Sequence, residues 1–448
     1  MKILLISANA LRLDDGRRWH ETHAKAGYAA TTLTTLAALV PPELNAEVAL
    51  IDETVDAVPS DFGGADLVGI GAMTCDAERA YQLADAARSR NIAVVLGGYH
   101  PTFMPNEAGE HADAVVIGFA EVAWPRLLRD FARGSMGRVY EAAWQDAFIS
   151  SLPAPRRDLL NRKAYAIPNS LETSRGCLNQ CSFCVVPPMH RGQYVQRRME
   201  GIATDIDLMP PGRLALLDAN PMENDASAAS LFPVLKRAGR AWFGCASFKS
   251  ASVQPWVRAA RSSGCRGLVI GFESLDPASL ANAGKSFNAV PRYGEMCRML
   301  HGEGVAILGC FMFGFDGEGS SVFERTVEFV DRYRLDAALY SVYTPFPGTP
   351  AWAQLRSQGR IVTTRWGRYD GRHVVFQPVG MTAGELQAGF HYAWKQTYRL
   401  GSIFKRVAGA ATLPLFDLVV NLAFRHYRRT FLPASNSQSK AGEPCEFS

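Results

Sequence analysis

Three cysteines, Cys177, Cys181 and Cys184, fall within a span of eight residues. Thiolates at this spacing can hold three irons of a cubane iron–sulfur cluster and leave the fourth iron open to another ligand. An open iron is a site for chemistry. A zinc knuckle completed by His190 is the alternative, because zinc also binds thiolate and imidazole groups.

The cysteines follow the first of six apolar segments that alternate with helical sequence in the second part of the chain. These predicted strands are 170–174, 214–217, 242–246, 267–271, 305–313 and 337–343. Six strand–helix units without a seventh predict an incomplete barrel, whose active face lies at the carboxyl ends of its strands. We therefore expect the cysteine loop at that active face.

The first part of the chain has a similar alternation. Apolar segments lie at 3–6, 48–51, 67–71, 92–96 and 114–117, with helical sequence at 77–90 and 121–133. Continuous apolar strands separated by helices predict an open, doubly wound parallel sheet. The predicted fold class is α/β, with an N-terminal Rossmann-like domain, a partial (β/α)6 barrel and a small, mainly helical C-terminal region.

Domain boundaries are suggested by prolines and basic residues between 150 and 169, which are typical of a surface linker. We expect a first domain over 1–148, a linker over 149–168, the barrel over 169–350 and the helical region over 351–432. The Ser-, Asn- and Lys-rich end, 433–448, is expected to be a disordered tail.

Composition excludes several classes of protein. The formal charge of +4 is small for 448 residues and the basic residues are scattered, so nucleic-acid binding is not indicated. The other six cysteines are dispersed, which favours a reducing cytosol over a disulfide framework. The N-terminus lacks a signal cleavage site, and no uncharged apolar stretch reaches the ~20 residues that span a bilayer. These features predict a cytoplasmic protein.

The stretch from Ser174 to Cys184, Ser-Arg-Gly-Cys-Leu-Asn-Gln-Cys-Ser-Phe-Cys, resembles the Cys-x-x-x-Cys-x-x-Cys signature of the radical S-adenosylmethionine superfamily. An aromatic residue, here Phe183, usually precedes the third cysteine in that family. The resemblance implies that the three cysteines ligate a [4Fe-4S] cluster whose open iron chelates S-adenosylmethionine. An electron from an external donor of the flavodoxin or ferredoxin type then yields a deoxyadenosyl radical.

The same resemblance implies contacts with S-adenosylmethionine at the ends of three later strands. Glu273 and Ser274 end the fourth strand, where polar groups meet the ribose, and Gly314 ends the fifth, where adenine is held. Glu273 is alternatively a strand-end carboxylate that faces water. Asp218 and Asn220 end the second strand, where they either contact the methionine amino group or form a turn or helix cap.

The first 145 residues resemble the cobalamin-binding domain that precedes the barrel in several branches of this superfamily. Glycines at strand ends let the backbone approach a flat ligand closely. A nucleotide site is the competitor, but the third glycine of its fingerprint is missing. The implied cobalamin contacts are Thr74, Gly97, Gly98, His100, Gly118 and Glu121.

One motif of cobalamin proteins is absent. Gly98 occupies the aspartate position of the Asp-x-His-x-x-Gly motif that supplies a histidine to cobalt in methionine synthase. Cobalamin would therefore lack that lower ligand, as in other cobalamin-dependent radical enzymes. His100 is either an ordinary loop histidine or a hydrogen-bond partner of the corrin.

Together, the two domains resemble those of C-methyltransferases of hopanoid, tetrapyrrole and antibiotic pathways. The resemblance implies methylation of an unactivated carbon on a small-molecule substrate that is hydrophobic or a secondary metabolite. A radical cyclase or oxidoreductase with the same two domains is the first alternative. A non-enzymatic zinc or cobalamin carrier is the second.

The C-terminal region allows two interpretations of each of its features. Aromatic residues at 366–373 and 391–394 suit either a bulky substrate or ordinary packing. Residues 403–431 mix apolar and basic side chains, so they either rest on a membrane surface or pack as a terminal helix. The first interpretation predicts a lipid-like or polycyclic substrate and peripheral membrane contact.

Overall fold

The computed structural model describes residues 1–10, 26–142, 152–408 and 414–432. Its strands are β1 (Lys2–Ser7), β2 (Ala26–Tyr28), β3 (Glu47–Asp52), β4 (Leu67–Gly71), β5 (Ala93–Gly97), β6 (Ala114–Ile117), β7 (Val139–Glu141), β8 (Tyr165–Ile167), β9 (Ser170–Leu171), β10 (Ser174–Gly176), β11 (Tyr194–Gln196), β12 (Leu214–Leu216), β13 (Trp242–Ala246), β14 (Cys265–Glu273), β15 (Ala306–Phe313) and β16 (Ala337–Val342). Its α-helices are α1 (Thr32–Ala38), α2 (Ala77–Arg88), α3 (Tyr99–Phe103), α4 (Pro105–His111), α5 (Ala120–Ala132), α6 (Val186–Met189), α7 (Met199–Asp207), α8 (Asp225–Ala238), α9 (Phe248–Ala251), α10 (Gln254–Ser262), α11 (Pro277–Asn282), α12 (Tyr293–Gly302), α13 (Ser321–Arg332), α14 (Pro350–Ser357), α15 (Ala383–Thr397), α16 (Leu400–Val407) and α17 (Pro414–Tyr427).

The first sheet has the strand order β3-β1-β4-β5-β6-β7, and all neighbouring strands are parallel. Ile3, Leu5 and Ile6 of β1 are fully buried because apolar clusters cover both faces of the sheet. The strand order reverses on either side of β1, and such a switch point leaves a crevice at the carboxyl ends of the strands. The predicted doubly wound domain is confirmed, with β7 as an additional edge strand.

The second sheet has its strands in chain order, β9-β12-β13-β14-β15-β16, and all are parallel. The six predicted strands and the partial barrel are therefore confirmed. Between β9 and β12 lies the antiparallel hairpin of β10 and β11, which the sequence pattern did not predict. This hairpin begins the cysteine loop.

The predicted linker is partly ordered by the first domain. Its strand β8 pairs in parallel with β2, and the buried Tyr165 donates a hydrogen bond to Asp52 at the end of β3, at 2.8 Å. Three-residue strands carry too little periodicity to be predicted. The linker residues 149–151 and the tail 433–448 lie outside the described residues, and the proposed domain boundaries remain a prediction.

Helices α15 and α17 pack against the edge strand β16, α16 packs against α13, and together they confirm the helical C-terminal region. The hydroxyl of Tyr398 donates to the carbonyl of Ala338 at 2.5 Å. Arg406 is only 1% exposed and donates to Asp331 of α13 at 3.3 Å and to Asn421 of α17 at 2.5 Å. None of the helices in the described part of the chain has the length and apolar character to cross a membrane.

Candidate functional site

The cysteine loop leaves the barrel through the β10–β11 hairpin, where Gly176 pairs with Tyr194. Gly176 has φ +87°, and a Cβ atom there would lie 1.9 Å from the carbonyl oxygen of Gln193. Only glycine fits this backbone, because any side chain would collide with the facing strand. The hairpin therefore fixes the direction in which the chain enters Cys177.

Hydrogen bonds from two other segments of the chain hold the loop between the cysteines. The amide of Ser182 donates to the carbonyl of Ala283 at 3.0 Å, and the amide of Ala351 donates to the carbonyl of Ser182 at 3.0 Å. Within the loop, the amide of Cys184 donates to the carbonyl of Cys181 at 3.1 Å. The backbone that presents the thiols is thus anchored independently of any bound metal.

A zinc knuckle at this loop would need a fourth ligand beside the three thiols. His190, the fourth ligand of that alternative, instead packs against Phe119 with ring centroids 5.1 Å apart. Burial raises the pKa of Cys177 to about 11 and of Cys181 to about 12, so cluster binding would release protons from these thiols.

A buried lysine that the sequence did not single out lies beside the cysteines. The ammonium of Lys285 is 2.5 Å from Glu273 Oε1 and 3.0 Å from the carbonyl oxygen of Gly271 at the end of β14. Its positive charge also acts on the thiols of Cys181 and Cys184, opposing the effect of burial on their pKa. Glu273 therefore faces a buried cation, which contradicts the alternative of a carboxylate that simply faces water.

Ser274 and Gly314 are brought together by a second residue that the prediction omitted, Glu318. The Ser274 hydroxyl donates to Glu318 Oε1 at 2.6 Å, and the amides of Gly314 and Phe315 donate to Oε2 at 3.0 and 3.2 Å. The carboxylate joins the ends of β14 and β15, where the ribose and adenine contacts are predicted. Burial raises the pKa of Glu318 to about 7.

This raised pKa predicts a pH-dependent stability. A carboxyl whose pKa is higher in the folded than in the unfolded protein stabilises the fold when protonated, and that contribution is lost as pH rises through about 7. We expect the free energy of unfolding to fall by about 1 kcal/mol between about pH 6 and pH 8, and Glu318→Gln to remove this component. Denaturant unfolding at both pH values checks it, and an unchanged slope in the variant would contradict it.

Asp218 and Asn220 support the cysteine loop. The buried carboxylate of Asp218 accepts hydrogen bonds from the Thr173 hydroxyl at 2.7 Å and the Ser174 hydroxyl at 2.5 Å. The Asn220 amide donates at 3.1 Å to Glu223, whose carboxylate lies 3.4 Å from Cys177 Sγ. The helix-cap alternative is wrong, because Asn224 caps α8; contact of Asp218 or Asn220 with S-adenosylmethionine remains a prediction.

The predicted cobalamin residues gather at the carboxyl ends of β4, β5 and β6. Gly98 has φ +97°, and a Cβ atom there would lie 3.0 Å from the backbone nitrogen and oxygen of Ala72. The Thr74 hydroxyl and His100 Nδ1 are buried with no hydrogen-bond partner among the described residues. Buried polar atoms are normally paired, so these two unpaired atoms are consistent with a ligand-binding crevice.

A cavity of about 190 Å³ lies between the two domains. Thr102, Gly118 and Phe119 line it from the first domain, whereas Pro188 and Met189 line it from the helix that follows the cysteines. Gly97 ends β5 beside this region, and its carbonyl accepts a hydrogen bond from Ala72 at 3.1 Å. The cavity is therefore lined by one predicted cobalamin residue, Gly118, and by the helix that follows the cysteine loop.

The chain is similar to known proteins over both domains. Residues 38–128 match the family described as the B12 binding domain. Bacteriochlorophyllide d C-12(1)-methyltransferase of Chlorobaculum tepidum is 30% identical over 86% of each chain. Bacteriochlorophyllide d C-8(2)-methyltransferase of the same organism is 26% identical over 91% of this chain and 94% of the relative.

A solved structure shows the same fold over nearly the whole chain. The radical S-adenosylmethionine methyltransferase TsrM from Kitasatospora setae, with cobalamin and a [4Fe-4S] cluster bound, superposes with a TM-score of 0.63 at 16% identity. The match covers 97% of this chain and 93% of that protein. The expected order of the two domains is thus confirmed.

Proposed function

Because this chain belongs to the family of cobalamin-dependent radical S-adenosylmethionine methyltransferases, we propose that it methylates an unactivated carbon of a hydrophobic, polycyclic substrate. The observation that carries this proposal is the interdomain cavity, at which Gly118 of the B12 binding domain faces Met189, five residues after Cys184. A methyl donor and a radical source must both reach the substrate carbon, and one shared cavity meets that requirement.

The cofactors are a [4Fe-4S] cluster, S-adenosylmethionine and cobalamin. When bound, the cluster supplies the electron that cleaves S-adenosylmethionine to a deoxyadenosyl radical, and cobalamin supplies the methyl group. We assign the three clustered cysteines to the cluster, and Glu273, Ser274 and Gly314 to S-adenosylmethionine. We assign the β4–β6 strand ends, with Thr74 and Gly98, to cobalamin.

An aromatic wall beside the cysteine loop supports a polycyclic substrate. Phe183 lies edge-on to Phe315, with ring centroids 5.9 Å apart, and Tyr343 contacts both rings. Phe315 and Phe376 are buried and pack behind the partly exposed Phe183 and Tyr343, which alone offer an aromatic surface. Aromatic surfaces of this kind bind flat apolar molecules, and the similarity to two bacteriochlorophyllide methyltransferases favours a tetrapyrrole-like ring.

Product analysis under anaerobic conditions tests the function. We expect the reconstituted enzyme with a candidate macrocycle to form deoxyadenosine, S-adenosylhomocysteine and a methylated product together. Deoxyadenosine with a dehydrogenated or cyclised product and no S-adenosylhomocysteine would contradict methylation and support the cyclase or oxidoreductase alternative. The absence of both nucleosides would contradict radical chemistry altogether.

We also propose an external one-electron donor of the flavodoxin or ferredoxin type. Apart from the three clustered cysteines, the cysteines of the described residues are free and dispersed, so they offer no second cluster to relay electrons. We expect reduced flavodoxin or ferredoxin to support deoxyadenosine formation. Activity with a chemical reductant but with neither protein would contradict this part of the proposal.

Peripheral membrane contact through α16 and α17 completes the proposal. Leu400 and Phe404 are 47% and 60% exposed on α16, and Leu415, Val419 and Leu422 are 76%, 58% and 43% exposed on α17. Their spacing of three or four residues places the exposed side chains of each helix on one face.

The basic residues of this region favour contact with a membrane that contains anionic lipid. Residues 400–432 contain five Lys or Arg residues and one acidic residue, the buried Asp417. Arg406 is buried against Asp331, which leaves Lys405, Arg425, Arg428 and Arg429 to meet a charged surface. A basic, amphipathic pair of helices is attracted by anionic lipid and held by its buried apolar side chains.

Vesicle flotation tests membrane contact. We expect the protein to float with vesicles containing about a third phosphatidylserine and not with pure phosphatidylcholine. The variant Phe404→Ser/Leu415→Ser/Val419→Ser should bind these vesicles with an affinity lower by about tenfold or more. The control variant Val139→Ser/Val379→Ser, changed at exposed sites elsewhere, should bind them like the wild type. A wild-type protein that stays unbound, or equal losses in the two variants, would overturn the proposal.

A further inference from the structure

An ion triad whose side chains are mostly, but not fully, buried connects the two cofactor loops. Arg175, on β10, has a side chain only 13% exposed and contacts the carboxylates of Glu121 and Glu172. Its guanidinium donates to the two oxygens of Glu172 at 2.7 and 2.9 Å and to Glu121 Oε1 from another nitrogen. The planar fork of an arginine can serve two carboxylates at once, which a lysine cannot do in this geometry.

The triad lies between the residues assigned to the two cofactors. Arg175 precedes Cys177 by two residues, and Glu121 follows Gly118, which lines the interdomain cavity, by three. The guanidinium of Arg175 also lies 5.7 Å from the centre of the Phe119 ring. The short chain segments between these residues leave little freedom for either loop to move alone.

The barrel side of the triad is itself fixed. The carbonyl oxygen of Glu172 accepts a hydrogen bond at 2.7 Å from Arg197, whose guanidinium also pairs with the buried Asp205 at 3.1 Å. Arg157 of the linker contacts the same carboxylate and donates to the carbonyl of Ser170 at 2.7 Å. Arg175 thus connects the first-domain loop to a rigid part of the barrel.

Stability alone does not account for such a triad. A buried ion pair gains little net free energy over apolar side chains of similar size, because desolvation offsets the attraction. Its hydrogen bonds have a defined geometry, so the triad holds two segments in one relative position.

We infer that Arg175 and Glu121 are positioning residues that hold the cobalamin-side loop, residues 118–121, in register with the cysteine loop. The inference rests on the proposed function. Deoxyadenosine formation requires only the cluster and S-adenosylmethionine, whereas S-adenosylhomocysteine formation requires the methyl group to reach the cobalamin. A change in the relative position of the two loops should therefore reduce S-adenosylhomocysteine formation far more than deoxyadenosine formation.

Arg175→Lys is the main test variant, because it keeps the charge and removes the fork. Glu172→Gln is the second variant, which keeps the shape of the side chain and removes the charge that holds Arg175. Asp331→Asn is the matched control: it weakens the buried Arg406–Asp331 pair of the C-terminal region, which has no contact with either loop in the described residues. Thermal unfolding and iron and cobalt content are measured for all three.

We expect Arg175→Lys to retain iron and cobalt and to form deoxyadenosine at a rate within about twofold of wild type. S-adenosylhomocysteine formation should fall by about tenfold or more, because small displacements of reacting groups have large effects on rate. Electron paramagnetic resonance should also show altered dipolar coupling between the reduced cluster and cobalt(II) cobalamin. Glu172→Gln should change both readouts in the same direction, and Asp331→Asn should change neither.

An unchanged product ratio and dipolar coupling in Arg175→Lys would overturn the inference. So would a loss of cobalt in proportion to lost stability, since that indicates a binding or folding role instead. A wild-type enzyme that forms no S-adenosylhomocysteine would count against the proposed function, and the coupling measurement would still judge the triad separately.

Discussion

Replacing Cys181 by serine should reduce deoxyadenosine formation by about a thousandfold or more, to the level without enzyme, because a cubane cluster needs all three thiolates of the loop. Cys181 is 8% exposed, and the backbone hydrogen bonds of its loop do not involve the sulfur. The fold should therefore survive the change. Iron content and deoxyadenosine yield of the reconstituted protein are the measurements.

Cys297→Ser provides the matched control. Cys297 is also buried, on α12 and far along the chain from the cysteine loop, so we expect it to keep wild-type iron content and activity. Cobalamin binding should persist in both variants, because one of the two apolar cores of the first sheet is built from buried residues of the first domain alone. Full iron content in Cys181→Ser, or equal iron loss in Cys297→Ser, would contradict the assignment of the cluster to the three cysteines.

The addition of one methyl group at Gly176 should reduce deoxyadenosine formation almost as much as the loss of Cys181. The Cβ atom of Gly176→Ala would lie 1.9 Å from the carbonyl oxygen of Gln193, so the β10–β11 hairpin must open and displace Cys177. We expect deoxyadenosine formation to fall by about a hundredfold or more, because a displacement near 1 Å can have this effect. Iron content after reconstitution should fall with it.

Gly134→Ala separates collision from backbone strain. Gly134 also has a positive φ, +70°, but no atom lies within 4 Å of its hypothetical Cβ. The alanine there should cost about 1 kcal/mol of stability and leave the rate of deoxyadenosine formation within about twofold. Equal losses of activity in the two alanine variants would show that the close approach at Gly176 is not what positions the loop.

Much of the fold was predictable because its strands are continuous apolar runs bounded by turns. The five predicted strands of the first sheet and the six of the second are present, with ends shifted by a few residues at most. Runs of two or three residues carry no such signal, and this explains why β7 and the β2–β8 pair were missed. Their pairing depends on the tertiary structure and not on local pattern.

The residues of the candidate site also divide into those that local sequence predicts and those that depend on tertiary contacts. Cys177, Cys181 and Cys184 were predictable because ligands on one loop must follow a fixed spacing. Lys285, Glu318 and the Arg175–Glu121 pair were not predictable, because each depends on a contact between segments that are distant in sequence. Buried charges of this kind become evident only when the three-dimensional partners are known.

Metal analysis of the reconstituted protein tests the central claim most directly. The protein is purified without oxygen, supplied with iron, sulfide and cobalamin, desalted, and analysed for iron, cobalt and zinc beside a visible spectrum. About four irons and one cobalt per chain, with sulfur-to-iron and corrin absorbance, are expected for a cobalamin-dependent radical enzyme. Zinc without iron, or iron without cobalt, would contradict it.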